Sequence, residues 1–316
     1  MTFMEQLKPR YIEMLKLRES LGYSHERNPR SVTDFADYCL QKHPCCETIT
    51  RDMVEEYLAT KTFNTAAMHN NVITKIRGFM RYLQSEGLAV FVPESEYSVK
   101  VEQFIPYVFT DEELAKLFEA FDDMPPARNS PNREYIIPVL FRMMYCCGMR
   151  PFEPPSLLAE DVCLESGEIF IRQSKGFKDR RILMSGDLLE LCRNYAAFMP
   201  PTKYFFERTP GERITKDWIH NQFEQSWKQT GLPNRTGKPR PYDLRHNFAT
   251  RTMMRWVEEG KDVNELTDYL SAYMGHSEFS MTTYYIHLIP ERLLKNQGID
   301  WHRFSAVYPE VYRAKS

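Results

Sequence analysis

The stretch that decides the fold lies near the carboxy terminus and reads GHSEFSMTTYYIH, residues 275–287. It places His276 ahead of two adjacent tyrosines, Tyr284 and Tyr285. A second stretch, YDLRH at residues 242–246, adds an arginine and another histidine. A tyrosine phenol has a pKa of about 10, so it attacks a phosphodiester at neutral pH only in a cationic pocket. These two stretches contain residues that can form such a pocket.

The composition is that of a folded protein with about two domains. The chain has 316 residues, of which 42% are hydrophobic and 27% charged. No apolar run approaches the roughly 20 residues that cross a membrane, and the first residues carry no basic-then-apolar leader. Seven cysteines without a Cys-x-x-Cys pair or a zinc-spaced cluster favour reduced thiols. We therefore expect a cytoplasmic protein with no membrane segment and no metal site.

The charge balance weighs weakly against binding of nucleic acid. The formal net charge is −2 and the isoelectric point about 6.5, whereas proteins that bind nucleic acid are usually basic. Residues 1–106, taken alone, are not basic either. Any basic surface must therefore come from the placement of Lys and Arg side chains on one face.

The order of predicted elements divides the chain into two domains. Residues 1–92 show only helical periodicity, residues 93–106 contain two prolines and no clear period, and residues 107–316 follow. We predict a helical domain, a linker and a second domain with these bounds. The longest candidate helix of the first domain spans residues 64–88. Its apolar stripe consists of Val72, Ile76, Phe79, Met80 and Leu83, and its other faces carry Lys75, Arg77 and Arg81.

The only β signal lies in the second domain. Residues 168–172 and 181–184 are two short apolar strands, and the basic segment between them, QSKGFKDR at residues 173–180, is typical of a hairpin turn. Helical patterns occupy most of the remainder, including a strongly apolar helix over residues 134–147. The predicted fold class is mainly α with a small antiparallel β-sheet: an all-helical domain followed by an α+β domain.

Four separated motifs, in order, resemble those of the tyrosine recombinases, also called the phage-integrase family. CGMRPFE at residues 147–153 resembles the family's Gly-x-Arg-x-x-Glu segment, and Lys175 matches its β-hairpin lysine. YDLRH resembles His-x-x-Arg-His, with Tyr242 where the family most often has histidine. MGH at residues 274–276 resembles Leu-Gly-His. The nucleophile of the family lies nine positions later and is followed by x-His, which gives Tyr285.

This resemblance implies the fold and the roles of individual residues. The first domain would be a SAM-like core-binding domain and the second a domain that breaks and rejoins DNA. Tyr284 is the rival nucleophile, but it misses both the count and the Tyr-x-His ending. The implied catalytic residues are Arg150, Lys175, Tyr242, Arg245, His276 and Tyr285; Glu153 and His246 would support them; and Lys75, Arg77, Arg81, Lys178 and Arg180 would contact DNA.

The same resemblance implies a mechanism and partners. Tyr285 would attack a phosphodiester to form a 3′-phosphotyrosyl link, and Lys175 would protonate the leaving 5′ oxygen, which becomes a free hydroxyl. Bond energy stays in the phosphotyrosine, so the scheme requires no cofactor, neither ATP nor a metal. The substrate would be double-stranded DNA with inverted-repeat core sites. Four copies would assemble on it through the carboxy-terminal tail, in the nucleoid, to integrate, excise or transpose a mobile element.

Three other functions remain open from the sequence. A type IB topoisomerase-like enzyme would share the chemistry, although the separate helical front domain favours a recombinase. A DNA-binding regulator with a decayed active site would explain Tyr242. A helical interaction protein would suit the neutral charge, but it leaves the four ordered motifs unexplained.

Overall fold

The computed structural model describes residues 2–23, 30–101, 105–172, 179–235 and 237–276, together with Thr282. The chain divides into two compact units, residues 1–104 and residues 105–316, which we call the amino-terminal and the carboxy-terminal unit. Three of the predicted site residues, Lys175, Lys178 and Tyr285, lie outside the described residues. The rival nucleophile Tyr284 and the predicted tetramer-forming tail lie outside them as well.

Four helices around one hydrophobic core make up most of the described part of the amino-terminal unit. Thr50 and Thr65 are the N-caps of the third and fourth helices, since each hydroxyl accepts a hydrogen bond from a backbone N–H three residues later. Aromatic rings from different helices meet in this core: Tyr11 and Phe79 pack edge to face, with ring centroids 5.2 Å apart. The helices are α1 (Phe3–Ser20), α2 (Arg30–Lys42), α3 (Arg51–Ala59) and α4 (Ala66–Ser85).

The helix α4 corresponds to the longest helix that the sequence predicts. Its fully buried stripe contains Ile73, whereas the predicted Val72 is only half-buried. The segment predicted as a linker begins with residues that are fastened to this helix. Arg77 donates hydrogen bonds to the carbonyl oxygens of Pro93 (2.5 Å) and Glu94 (2.7 Å). The first residues of that segment therefore belong structurally to the amino-terminal unit.

The carboxy-terminal unit combines helices with a small antiparallel sheet. In the sheet Ile169 lies opposite Ile182, both buried, and Ile171 lies opposite Arg180. The described elements are α5 (Asp111–Asp122), α6 (Arg133–Cys146), β1 (Glu168–Ile171), β2 (Arg180–Leu183), α7 (Gly186–Phe198), α8 (Lys216–Gln229), α9 (Pro241–Glu258) and α10 (Val263–Met274). The central helix α6 buries most of its side chains and packs against α5, α7 and α9.

The predicted fold class, mainly α with a small antiparallel β-sheet, is confirmed. None of the described helices combines the length and the apolar composition that a membrane crossing requires. Across the described ranges, no group of three or more His, Cys, Asp or Glu side chains is placed to hold a metal ion.

Candidate active site

Two helices of the carboxy-terminal unit end in the same type of turn. Gly148 follows the end of α6 and Gly275 follows the end of α10, and both have left-handed backbone angles, with φ of +60° and +63°. Beyond α10, the N–H of His276 donates to the carbonyl of Ser271 (3.0 Å), and the turn after α6 contains the equivalent bond. This pattern is the Schellman motif, in which glycine supplies the left-handed residue. The two turns place Arg150 and His276 just beyond the helix ends.

One arginine of α9 joins these two turns. Arg245 is 0% exposed and donates through Nη1 to the carbonyl oxygen of Gly148 (2.6 Å) and through Nη2 to that of Met274 (2.7 Å). Carbonyls at the carboxy-terminal end of a helix lack intrahelical partners and carry the negative end of the helix dipole. Since the guanidinium bonds to a carbonyl at each helix end, its orientation is fixed from two sides.

Arg150 reaches the same end of α10 from the other direction. Its side chain is 3% exposed and donates through Nη2 to the carbonyl oxygen of Gly275 (2.6 Å). Arg245 and Arg150 therefore donate to consecutive carbonyl oxygens, those of Met274 and Gly275. His276 is the next residue of the chain, so two guanidiniums meet beside it.

Glu153 provides the carboxylate of this cluster. It accepts hydrogen bonds from the backbone N–H of Arg150 (2.7 Å), from Arg150 Nη1 (3.2 Å) and from Arg180 Nη1 and Nη2 (2.7 Å each). Burial alone would raise the pKa of Glu153, but the hydrogen bonds and charge of Arg180, the charge of Arg245 and the Arg150 N–H hold that pKa below its usual value. An ionised Glu153 thus lies among three guanidiniums. The cluster is cationic in a chain whose net charge is −2.

His276 lies at the edge of this cluster with a neutral ring. Burial, and then the charges of Arg245, Arg150 and Arg180, lower the pKa of His276 to about 3. Its Nδ1 lies 2.6 Å from the hydroxyl oxygen of Thr282, a fully buried residue. If that hydroxyl donates to Nδ1, the ring proton is on Nε2, and this tautomer can donate a hydrogen bond to an anion.

The remaining residues of the YDLRH motif form the start of α9. The rings of Tyr242 and His246 are neighbours, with centroids 5.0 Å apart. Burial, together with the charges of Arg245 and Arg240, lowers the pKa of His246 to about 3, so this imidazole is neutral as well. Asp243 is fully buried and accepts a hydrogen bond from the backbone N–H of Arg240 (2.8 Å) at the beginning of the helix. These residues fix the helix end that carries Arg245.

Comparison with known proteins places this arrangement in a family. Residues 108–292 match the profile of the Phage integrase family. The chain belongs to that family. The resemblance to the tyrosine recombinases that the four motifs indicate is thereby confirmed.

Individual proteins match most of the chain. The protein y4rE of Sinorhizobium fredii (strain NBRC 101917 / NGR234), provisionally named an integrase/recombinase, is 30% identical over 90% of this chain and 91% of its own length. The tyrosine recombinase XerC of Thermodesulfovibrio yellowstonii is 29% identical over 76% of this chain and 77% of its own. A crystal structure of the XerH site-specific recombinase bound to palindromic difH substrate, a post-cleavage complex, matches with a TM-score of 0.62. That match has 21% identity and covers 86% of this chain and 78% of the other. This last likeness is one of fold.

The structure brings together five of the residues that the family resemblance implies. Four of them, Arg150, Glu153, Arg245 and His276, are the residues expected at the centre of the site. The fifth, Arg180, was expected on the hairpin as a DNA contact, yet its side chain is only 7% exposed and is bonded to Glu153. The predicted contacts Lys75, Arg77 and Arg81 lie on α4 of the amino-terminal unit, whereas Lys175, Lys178 and Tyr285 lie outside the described residues.

Two residues of this candidate site were not identified from the sequence. Thr282 was quoted within the deciding stretch but given no role, although its spacing from His276 was visible. Asn247 is fully buried on α9, donates to the carbonyl of Tyr107 (2.9 Å) and accepts from the N–H of Phe109 (2.9 Å). It fastens the start of the carboxy-terminal unit to the helix of Arg245. No local sequence pattern predicts this role of Asn247, because its partners Tyr107 and Phe109 are distant in the sequence.

Proposed function

We propose that this chain is a site-specific DNA recombinase that cleaves and rejoins strands through a 3′-phosphotyrosyl intermediate, with Tyr285 as the nucleophile. One observation carries the proposal: Arg150 and Arg245 donate to consecutive carbonyl oxygens, 275 and 274, beside His276. Two buried guanidiniums at one point of the backbone suit the binding of a single phosphate, since a planar guanidinium can hold two phosphate oxygens at once.

The chemistry requires that this pocket be ordered before the substrate arrives. As the phenol oxygen of Tyr285 attacks, negative charge grows on the two non-bridging oxygens of the phosphate. Arg150 and Arg245 are already oriented by the protein, so stabilising that charge needs little reorganisation. His276, neutral and with its Nδ1 beside Thr282, adds a hydrogen bond without adding a further positive charge to the cluster.

The remaining roles complete the reaction. Lys175, which matches the hairpin lysine of the family in sequence, protonates the 5′ oxygen as it leaves, because an ammonium group can donate a proton to a leaving alkoxide. Tyr242 donates a hydrogen bond to the phosphate in place of the histidine that the family most often has. The reverse reaction, in which a 5′ hydroxyl of another strand attacks the phosphotyrosine, rejoins the DNA without ATP, because the ester bond is exchanged and not lost.

The substrate we propose is double-stranded DNA with inverted-repeat core sites. Support comes from XerH, whose structure was determined bound to its palindromic difH substrate. In this proposal the amino-terminal unit is a core-binding domain, with α4 and its residues Lys75, Arg77 and Arg81 against the duplex. The carboxy-terminal tail joins four copies, and the reaction moves a mobile element. Such an enzyme acts where the chromosome lies, in the cytoplasm.

The decisive experiment is a trapping assay. The full chain is incubated with nicked suicide duplexes taken from the DNA that flanks its gene, and a detergent-stable protein–DNA adduct is sought. We expect an adduct with the wild type and with Tyr284→Phe, and none with Tyr285→Phe. An adduct that survives Tyr285→Phe but not Tyr284→Phe would move the nucleophile by one residue.

The same assay separates the alternatives. Site-specific retention of DNA without any adduct would support a regulator with a decayed site. An adduct on any duplex, with relaxation of a supercoiled plasmid that lacks target sites, would support a topoisomerase-like enzyme.

A further inference from the structure

The residue whose position departs most from its sequence-based role is Arg180. The basic hairpin segment that ends with it suggests a solvated side chain available to DNA. Instead, Arg180 is the first residue of β2, its side chain is 7% exposed, and both of its terminal nitrogens donate to the two oxygens of Glu153 at 2.7 Å. This paired geometry is the strongest that a guanidinium and a carboxylate form.

Glu153, held by Arg180, in turn orients Arg150. One carboxylate oxygen accepts from the backbone N–H of Arg150 (2.7 Å) and the other from Nη1 of the same residue (3.2 Å). The carboxylate is therefore held between two arginines, and fixing its plane from the side of Arg180 fixes the direction of the Arg150 guanidinium. Side chains that bind a reacting group depend on such support for their accuracy.

Arg180 also lies against the turn that ends α10. A Cβ atom built on Gly275 would lie 3.2 Å from Arg180 Cδ and 3.6 Å from the Nη1 atoms of both Arg180 and Arg150. The glycine thus allows both arginines to approach the turn closely. Because Gly275 precedes His276, Arg180 packs at the point where the phosphate-binding groups meet.

We infer that Arg180 is a positioning residue, which holds Glu153 against Arg150 and packs under the Gly275 turn, so that the base of the β1–β2 hairpin sets the orientation of the phosphate-binding arginine. The inference rests on the proposed function, since it assigns Arg180 to the support of that site. It replaces a contact with DNA by a contact within the protein.

Two measurements on Arg180→Gln distinguish these roles. The first is the dissociation constant for duplex DNA and its salt dependence; the second is the rate constant of adduct formation at saturating enzyme. We expect unchanged affinity and an unchanged salt slope, with a cleavage rate constant about 10- to 100-fold lower, because a displacement of about 1 Å in a positioning group costs up to that factor.

A DNA contact predicts the opposite pattern. Loss of one phosphate contact would weaken binding and lower the salt slope by about one, and cleavage would recover at saturating enzyme. Either that pattern or a variant that behaves like the wild type in both measurements would overturn the inference. A purely structural role would lower the melting temperature and the fraction of active enzyme, but not the rate constant of that fraction.

The matched control is Arg181→Gln. Arg181 is the next residue of β2, but its side chain is 71% exposed and pairs with Glu168 on the surface (2.6 Å). We expect wild-type cleavage from it. Should Arg180→Gln fail to fold, Arg180→Lys takes its place: it keeps the charge but cannot form the paired hydrogen bonds, and a lowered rate constant is expected in the same assay.

Orthovanadate binding to the DNA-free protein separates this inference from the proposed function. A tetrahedral oxyanion tests the arginine pocket without any cleavage, and we expect its affinity to fall at least about 10-fold in Arg180→Gln and to stay unchanged in Arg181→Gln. If the wild type forms no adduct with DNA, the proposed function fails, and the vanadate result alone then decides the role of Arg180. Equal vanadate affinity in both variants would overturn it.

Discussion

The two central arginines of the candidate active site and Arg81 of the amino-terminal unit differ in burial and in partners. In the carboxy-terminal unit, Arg150 and Arg245 are 3% and 0% exposed and donate to backbone carbonyls at helix ends. In the amino-terminal unit, the side chain of Arg81 on α4 is 60% exposed and pairs with Glu94 at 3.0 Å across the surface. The same residue type therefore serves two purposes. Burial and hydrogen bonding, and not the number of positive charges, distinguish the candidate active site.

The physical reason lies in the cost of desolvation. A buried guanidinium loses its hydration, and the loss is offset only when its N–H groups find well-placed acceptors. Such a group cannot move without leaving carbonyls unsatisfied, so it is rigid by necessity. An exposed pair keeps most of its hydration and contributes about 0–1 kcal/mol. The predictions below test this difference, beginning with the largest expected effect.

The largest effect is expected for Arg245→Lys. Lysine keeps the charge but cannot bond to the carbonyls of Gly148 and Met274 in the same fixed plane. We expect the rate constant of adduct formation to fall about 10²- to 10³-fold, and the free energy of unfolding to fall by about 2–4 kcal/mol because buried carbonyls lose their donors. Single-turnover cleavage and urea unfolding measure the two quantities.

The matched control for this variant is Arg51→Lys, at a side chain that is 63% exposed on the amino-terminal unit, and it should change neither quantity appreciably. A buried substitution whose cleavage stays within 10-fold of wild type would show that the rigid bridge between the two helix ends is unnecessary. The distinction between buried and exposed arginines would then lose its functional meaning.

A second effect separates the glycine turns of the two units. A Cβ atom on Gly148 (φ +60°) would lie only 2.5 Å from the ring of Phe248, whereas one on Gly87 (φ +82°) of the amino-terminal unit would have no neighbour within 4 Å. Both replacements by alanine strain a left-handed backbone by about 1 kcal/mol. We expect Gly148→Ala to cost about 2–4 kcal/mol in total, since the ring must also move. Gly87→Ala should cost only the backbone strain.

Urea unfolding at constant pH measures both glycine variants. Equal losses at the two positions would mean that the packing beside Phe248 relaxes freely. In that case the turn before Arg150 would be no more constrained than a surface turn.

The sequence predicts the elements of this protein better than it predicts their contacts. The helical periodicity of α4 and the two short strands follow from local patterns. The motifs also single out four residues that the structure brings together, Arg150, Glu153, Arg245 and His276. Local preferences are encoded by nearby residues, and motif spacing is preserved when the chain folds.

The sequence does not predict the contacts between distant segments. The sequence gives no sign that Arg180 turns inward to Glu153, since a basic hairpin is usually solvated. Nor does it reveal that Asn247 clamps residues 107–109, or that Arg245 bonds to carbonyls of two separate turns. Each of these contacts joins segments with no fixed spacing along the chain, so local sequence patterns do not predict it.

A third prediction concerns the stability of the buried site in acid. Burial and neighbouring guanidiniums lower the pKa values of His246 and His276 to about 3, below the value of about 6.5 in an unfolded chain. Between pH 6.5 and 3 the unfolded state therefore binds protons that the folded state does not, and stability falls as the pH falls. We expect each half-buried histidine to contribute about 1–2 kcal/mol of this loss between pH 7 and 5.

Denaturant unfolding of His246→Asn at pH 8, 7 and 5 tests this point. At pH 8, the difference in the free energy of unfolding between the variant and the wild type measures the packing lost by the substitution. The change in that free energy between pH 7 and 5 measures the contribution of histidine protonation. The variant should lose less stability on acidification than the wild type. A pH dependence identical to that of the wild type would mean that His246 is accessible to protons in the folded protein.

The smallest effect is expected on the surface of the amino-terminal unit. Removing the exposed pair by Arg81→Gln should change the free energy of unfolding by less than about 0.5 kcal/mol, while Arg77→Gln should cost about 1–2 kcal/mol because Arg77 donates to the carbonyls of Pro93 and Glu94. If α4 faces DNA as proposed, Arg81→Gln should also lower the salt slope of DNA binding by about one. A salt slope unchanged by Arg81→Gln would remove α4 from the DNA interface and leave its arginines with structural roles alone.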